Sequence, residues 1–286
     1  MNPATVPPPN FNGRYSNGPL TMESVATALG VTQTNYGVAG AWSGTDNNFR
    51  IVGTTPPDLA NTGVLNQLND WEADLAGGAA DPNALFVYWA GSNDLFESSG
   101  VDLTLQERID GVKANLATAM GRLDAGGARR ILVGTRTPRD VLDSANDLRG
   151  QALNAEIRAL IPLLDATYGA SIELFDAYDI IAEVMRDPAT FGFLATGAHC
   201  AADPACYTNP SVAATYINWD GAHKTTAVLS LLADRILEQL ENPSAVPVPG
   251  TLPLALLALG PLLVLRRRRA GVRRRPAATA LSPAAR

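Results

Sequence analysis

The chain has 286 residues, 46% of them apolar and 17% charged, a composition that can bury a sizeable core and excludes a disordered polymer. The net charge of −6 hides an asymmetry: eight of the 22 basic residues lie beyond Glu241, where there is no acid, which leaves Met1–Glu241 with 14 basic against 28 acidic residues. An acidic body lacks the basic face that nucleic acid requires as a partner, although plain solubility accounts for the acid equally well.

Met1–Asn10 has neither a basic nor an apolar region and is not a signal peptide. Thr21–Leu29 places Met22, Val25, Ala26 and Leu29 at helical spacing and is closed by Gly30. Asn35–Val38 is expected as a short strand leading into the turn Ala39-Gly40-Ala41. Val64–Leu75 spaces Val64, Leu65, Leu68, Trp71 and Leu75 on one helical face. Ala84–Ala90 is an unbroken apolar run, as a strand buried on both faces should be. A long amphipathic helix follows at Leu105–Leu123, ending at Gly126-Gly127, and then a strand at Arg130–Gly134. Ala145–Tyr168 reads as helix, Ser171–Phe175 as strand and Thr225–Leu240 as a last helix. Continuous apolar strands joined by helices imply an α/β domain over residues 12–240, a parallel sheet with helices on both faces. In such sheets the site lies at the carboxyl ends of the strands, here Gly40, Gly91–Asp94, Thr135–Thr137 and Asp176.

The remaining segments differ in character. Residues 1–11 are a loop remnant, and residues 241–250 a Pro-rich linker. Thr251–Leu265 is an apolar run of 15 residues, followed by Arg266–Arg269 and Arg273–Arg275 within an Arg-rich tail, residues 266–286. The run is shorter than the roughly 20 residues of a spanning helix, and Val246–Gly250 extends it. The arginines would hold its far side in the cytoplasm. Cys200 and Cys206 are the chain's two cysteines, six apart. Such a pair reads as a local disulfide in an exported protein and as two free thiols otherwise. With His199 beside them they offer too few ligands for a closed zinc site.

Three constellations carry chemistry. Asn218-Trp219-Asp220-Gly221-Ala222-His223 precedes the last helix and contains one of only two histidines. A hydrolytic serine needs a base, and the base needs a carboxylate that fixes its tautomer; Asp220 and His223 could supply both. Alone, the pattern fits a loop histidine in solvent as well. Gly91-Ser92-Asn93-Asp94 follows the buried strand, where the Asn93 amide could donate to an oxyanion; these are also ordinary turn residues. Asn35–Ala41 contains Gly40, whose backbone N–H can approach a ligand closely.

In their order and context, these three resemble the blocks of the SGNH/GDSL hydrolases, in the lipase-like branch of GDSL esterases. Gly91–Asp94 resembles the family's Gly-x-Asn-Asp block, Asp220–His223 its Asp-x-x-His block, and Asn35–Ala41 its glycine block. Asn12–Pro19 resembles the Gly-Arg-Phe-Ser-Asn-Gly segment of that branch, and Phe191-Gly192-Phe193 with Cys200 a stretch found before the catalytic loop. The resemblance implies a three-layer α/β/α sandwich with a mostly parallel, flavodoxin-like sheet. It implies His223 as general base, Asp220 as its orienting partner, and Gly40 N–H with the Asn93 side chain as oxyanion donors. It implies a carboxylic ester as substrate, of a lipid, a small alcohol or an acetylated polysaccharide, and no metal or organic cofactor.

The family's Gly-Asp-Ser block, with the nucleophile at the end of the first strand, has no counterpart, for Met1–Phe11 contain no serine. Ser16, Ser43 and Ser92 are poor substitutes. The expectation is therefore a nucleophile upstream of Met1 and a sheet lacking its first strand, between Asn35–Val38 and Ala84–Ala90. As it stands, the chain could instead be a catalytically dead surface protein that uses the fold for binding. Val246–Thr251, the apolar run and the arginines resemble a PEP-CTERM sorting signal, with Val in place of the usual Glu. That resemblance implies an exported bacterial protein, tethered to a membrane and handled by an exosortase-type sorting enzyme.

Overall fold

Three parallel strands form the centre of the fold. The computed structural model describes residues 8–49, 59–96 and 101–242. In chain order the elements are α1 (Thr21–Leu29), α2 (Val64–Asp74), β1 (Leu85–Tyr88), α3 (Leu105–Ala125), β2 (Arg130–Gly134), α4 (Ala145–Asp165), β3 (Ser171–Phe175), α5 (Ala177–Arg186), β4 (Ala195–His199), α6 (Pro204–Thr208), α7 (Pro210–Ala213), β5 (Tyr216–Asn218) and α8 (Thr226–Glu241). β1, β2 and β3 pair in that order, all parallel, with Val87 opposite Leu132 and Leu132 opposite Glu173.

Strand side chains alternate between faces, and the core divides accordingly. Tyr88, Ile131, Val133 and Ile172 pack with Leu68 and Trp71 of α2, Leu116 and Met120 of α3, and Leu153 and Ile157 of α4. Leu132 and Phe175 pack on the other face with Val25 of α1, Ile181 of α5, and Val228, Leu232 and Ile236 of α8. The fold is thus α/β with helices on both sides of a parallel sheet. Each fully buried aliphatic such as Leu116 or Leu232 contributes about 2 kcal/mol through burial. The helix starts are capped as their sequences demand. Thr104 and Glu107 form a reciprocal capping box on α3, and Asn17 Oδ1, from far along the chain, accepts the Thr226 N–H at the start of α8 over 2.8 Å.

The expected strand at Asn35–Val38 does not form. These residues run as irregular chain, with Asn35 and Gly37 exposed and Tyr36 and Val38 half-buried. A strand needs a partner for its backbone groups, and among the described residues β1 pairs only with β2. The linker beyond Asn242, the apolar run Thr251–Leu265 and the arginine-rich tail lie outside the described residues, and none of the described helices is long and apolar enough to cross a membrane.

A second, two-stranded parallel sheet joins β4 to β5, with Ala195 opposite Tyr216 and His199 opposite Asn218. Cys200 and Cys206 are joined in a disulfide, their Cα atoms 5.2 Å apart. Both are buried with Ala213 and Trp219 in a small cluster of their own. Closing so short a loop removes freedom chiefly from the unfolded chain and should contribute about 2 kcal/mol. Thermal unfolding of a Cys200→Ser/Cys206→Ser variant is therefore expected to show a lower Tm by several degrees; an unchanged Tm would mean that the cluster holds without the bond.

Candidate active site

β5 ends at Asn218 and delivers the chain to Trp219, an indole 1% exposed. Its Nε1 donates to Asn10 Oδ1 over 2.8 Å. With Trp219 anchored, the next four residues close a turn. Asp220 Oδ1 accepts the N–H groups of Ala222 and His223, each at 2.8 Å, and the Trp219 N–H donates to the His223 carbonyl at 2.8 Å. This turn leaves both carboxylate oxygens of Asp220 2.9 Å from His223 Nδ1. Such a partner assigns the proton to Nδ1 and leaves Nε2 as the acceptor, the tautomer a general base needs.

Burial alone would push the Asp220 carboxyl up. The hydrogen bond and charge of His223, with the two backbone N–H groups, outweigh it and hold Asp220 at about 2. The ionised carboxylate therefore persists through the neutral range. Its contribution to stability is fully present above the ordinary carboxylate value of 3.8 and is lost as the pH falls through about 2. The ring of Tyr15 stacks on His223 with centroids 4.8 Å apart. Burial and the charge of Asp220 push the Tyr15 hydroxyl up, so it stays protonated.

The other half of the site forms at the carboxyl end of β1. Gly91 turns the chain with φ +102°, and a Cβ there would fall 2.9 Å from Val112 Cγ1. A single 3₁₀ turn, Asn93–Leu95, follows. Asn93 Nδ2 donates to the Ala41 carbonyl at 3.0 Å, and its Oδ1 accepts from Asn48 Nδ2 at 3.2 Å. Asn93 and the Gly40–Ala41 loop are thus brought together, with the amide engaged on that loop. Gly40 has φ +77°, and a Cβ there would lie 2.6 Å from Asn47 Oδ1, so only glycine fits the turn. Asp94 faces inward and accepts from Ser43 N–H at 2.9 Å and Ser43 Oγ at 2.6 Å. Burial pushes its carboxyl up, against those bonds.

The serines near the site are engaged elsewhere. Ser16 Oγ donates to the Lys224 carbonyl, Ser43 Oγ to Asp94, and Ser92 Oγ accepts from Arg136 Nε. Among the described residues no serine hydroxyl is hydrogen-bonded to the His223 ring. Of the other strand-end positions, Asp176 is structural: it caps α5 and pairs with Arg158 at 2.6 Å. Thr135 Oγ1 donates to Asp176 at 3.0 Å. No cluster of His, Cys, Asp and Glu that could hold a metal occurs among the described residues.

Sequence reasoning missed several residues that hold the turn. Ser16 and Asn17 brace it from the N-terminal segment. Lys224, 5% exposed, points its amine inward to Asn218 Oδ1 at 2.6 Å and the Arg139 carbonyl at 2.9 Å. The other histidine, His199, pairs with Asp140 at 3.3 Å. A lysine at the foot of an amphipathic helix gives no local sign that it turns inward. The Asn12–Pro19 segment was visible only as a likeness, not as a brace.

Comparison with known proteins identifies the family. The family described as GDSL-like Lipase/Acylhydrolase matches residues 6–236. The chain is similar to the thermolabile hemolysin of Vibrio parahaemolyticus, 27% identical over 82% of this chain and 58% of that protein. It is similar to a GDSL esterase/lipase of Arabidopsis thaliana, 24% identical over 56% of this chain and 52% of that one. It is also similar to the phosphatidylcholine-sterol acyltransferase of Aeromonas hydrophila, 25% identical over 68% of this chain and 57% of that one. The chain thus spans little more than half the length of these relatives. Among solved structures, a carbohydrate acetylesterase from Sinorhizobium meliloti aligns over 82% of this chain and 88% of its own, with 14% identity and a TM-score of 0.46.

Proposed function

Because the chain belongs to the GDSL-like lipase/acylhydrolase family, we propose that it hydrolyses carboxylic esters through an acyl-enzyme, with His223 as base, Asp220 orienting it, and Gly40 N–H and Asn93 as oxyanion donors. The observation that carries this reading is the Asp220–His223 pair, 2.9 Å apart with Nε2 left as acceptor.

In the proposed reaction a serine hydroxyl gives its proton to His223 Nε2 as its oxygen bonds to the ester carbonyl carbon. The carbonyl electrons move onto oxygen, and the two donors stabilise that charge. Collapse breaks the bond to the alcohol, which leaves with the proton from His223. Water then repeats the sequence on the acyl-serine and releases the acid.

The nucleophile in this reading is a serine on a strand laid along the open edge of β1. Two observations support it. β1 pairs on one side only among the described residues, and Ser16, Ser43 and Ser92 are each engaged elsewhere. The same engagement favours the second reading, a binding protein without turnover. A fluorophosphonate probe with peptide mapping on the natural protein separates the two. Label on a serine outside Ser16, Ser43 and Ser92 is the expected result. Label on one of those three would overturn the strand assignment, and no label at all would favour the binding reading. Substrates in this proposal are acyl esters of lipids or small alcohols, or acetylated polysaccharide. Similarity to a protein named for phosphatidylcholine favours the lipid.

The tail is part of the same proposal. Thr251–Leu265 and the arginines behind it would tether an exported protein to a membrane and present it to a sorting enzyme of the exosortase type. Full-length protein is expected to sediment with membranes, and protein truncated after Glu241 to stay in the supernatant. Both forms in the supernatant would sink the anchor.

A further inference from the structure

The two halves of the candidate site are each built locally. A turn closed on Asp220 fixes His223, and Ala41 and Asn48 hold Asn93. Among the described residues no hydrogen bond joins His223 directly to Asn93, yet base and oxyanion donor must serve one carbonyl group. A series of contacts does connect them, and it begins at the residue after the base. Lys224 is 5% exposed, and a buried amine must find acceptors. Its Nζ donates to Asn218 Oδ1 at 2.6 Å and to the Arg139 carbonyl at 2.9 Å. The Arg139 guanidinium lies 4.9 Å from the centre of the Phe96 ring. The Phe96 N–H donates to the Asn93 carbonyl at 3.3 Å and closes the 3₁₀ turn that carries Asn93.

We propose that Lys224 and Arg139 are positioning residues that form a strut between His223 and Asn93 and set the spacing of base and oxyanion donor. The inference rests on the ester-hydrolase reading above.

Three features support it. Lys224 is tied at both its ends: its own carbonyl accepts from Ser16 Oγ at 3.0 Å, so neither backbone nor side chain is free to drift. Arg139 sits in the loop that leaves the carboxyl end of β2, with its carbonyl on Lys224 and its guanidinium over Phe96. Burying an amine costs free energy that an apolar side chain of the same length would not. Burial, helped by the nearby Arg139 charge, does hold the Lys224 ammonium down at about 7, against the pull of Asp140, Asp147 and Asp220. A group retained at such a cost has bonds to make that a filler lacks. The Lys224 amine is bonded to Asn218 and the Arg139 carbonyl, and the Arg139 guanidinium lies over Phe96, so in this proposal their effect passes through His223 and Asn93.

The test is a double-mutant cycle on the full-length protein with Lys224→Met and Arg139→Ala. Lys224→Met keeps the length of the side chain and removes its donors. Arg139→Ala keeps the carbonyl that Lys224 bonds and removes the Phe96 contact, together with a positive charge that acts on Lys224 and Arg136. With p-nitrophenyl acetate, each is expected to lower kcat about 10-fold with little change in KM, because misplaced groups cost rate rather than binding. The double variant should be no worse than either single, since both break one strut. Unchanged kcat in either, or losses that multiply, would overturn the strut.

A second readout does not need turnover. The ring resonances of His223 are assigned by their loss in a His223→Gln variant. Arg139→Ala is expected to shift or broaden the His223 ring signals, although its altered contact is on the Asn93 side. His223 signals at wild-type positions in both variants would overturn the strut. A wild-type protein without esterase turnover, with those signals nonetheless responding, would count against the ester-hydrolase reading alone.

Discussion

Replacing His223 with alanine is expected to lower kcat for ester hydrolysis by about 10⁴- to 10⁶-fold in the natural protein, measured by initial rates on a soluble p-nitrophenyl ester. The size of the effect follows from what the ring does. In the proposed reaction Nε2 accepts the nucleophile's proton and returns it to the leaving alcohol, so its loss would remove two proton transfers at once. KM should change little, since in the proposed reaction the ring moves protons rather than holding the ester. The fold should also survive. The His223 side chain is 45% exposed, and among the described residues its ring contacts are Asp220 and the Tyr15 stack. Substitutions of that kind usually move stability by less than about 1 kcal/mol. Near-wild-type turnover in His223→Ala would remove the base assignment, and with it the reading of Asp220.

How much of this was legible in the sequence depended on the range of the interactions. β1 is a continuous apolar run, β2 and β3 are short segments rich in Ile, Leu, Val and Phe, and α3 and α8 carry clear helical spacing, so local pattern sufficed for the sheet and its covers. Asn35–Val38 was misread because strand formation is not a local property. The segment has the pattern, but among the described residues it finds no partner. β4 was invisible for the opposite reason: Ala-Thr-Gly-Ala-His has small side chains and no alternation, and what makes it a strand is its pairing with β5. The helix Ala177–Arg186 was within reach, with Asp176 as its cap and Ala177, Ile181, Val184 and Met185 on one face. The site divides in the same way. Asp220 and His223 could be paired on paper because one turn holds both. Ser16 to the Lys224 carbonyl and Asn17 to Thr226 are contacts across most of the chain, and no spacing rule announces them.

Asn93→Ala is the second large effect, and it tests whether the Asn93 amide is a donor to the reaction or only a tether. In this structure Nδ2 is bonded to the Ala41 carbonyl at 3.0 Å and Oδ1 to Asn48. The amide has two N–H groups, and one bond to Ala41 leaves the second available to a developing oxyanion. Removing an oxyanion donor typically lowers kcat about 10²- to 10³-fold, and that is the expected loss, with KM little changed. A tether would behave differently. Its loss would release the Gly40–Ala41 loop, lower Tm and raise KM, with a smaller fall in kcat. Asn48→Ala supplies the comparison, because it removes a bond to Asn93 Oδ1 and leaves the donor in place. A kcat near wild type in Asn48→Ala, set against a large loss in Asn93→Ala, assigns the effect to the Nδ2 donor. Equal modest losses in both would reduce Asn93 to a loop anchor. The oxyanion would then be left to the Gly40 N–H, for which no hydrogen-bond acceptor is found among the described residues.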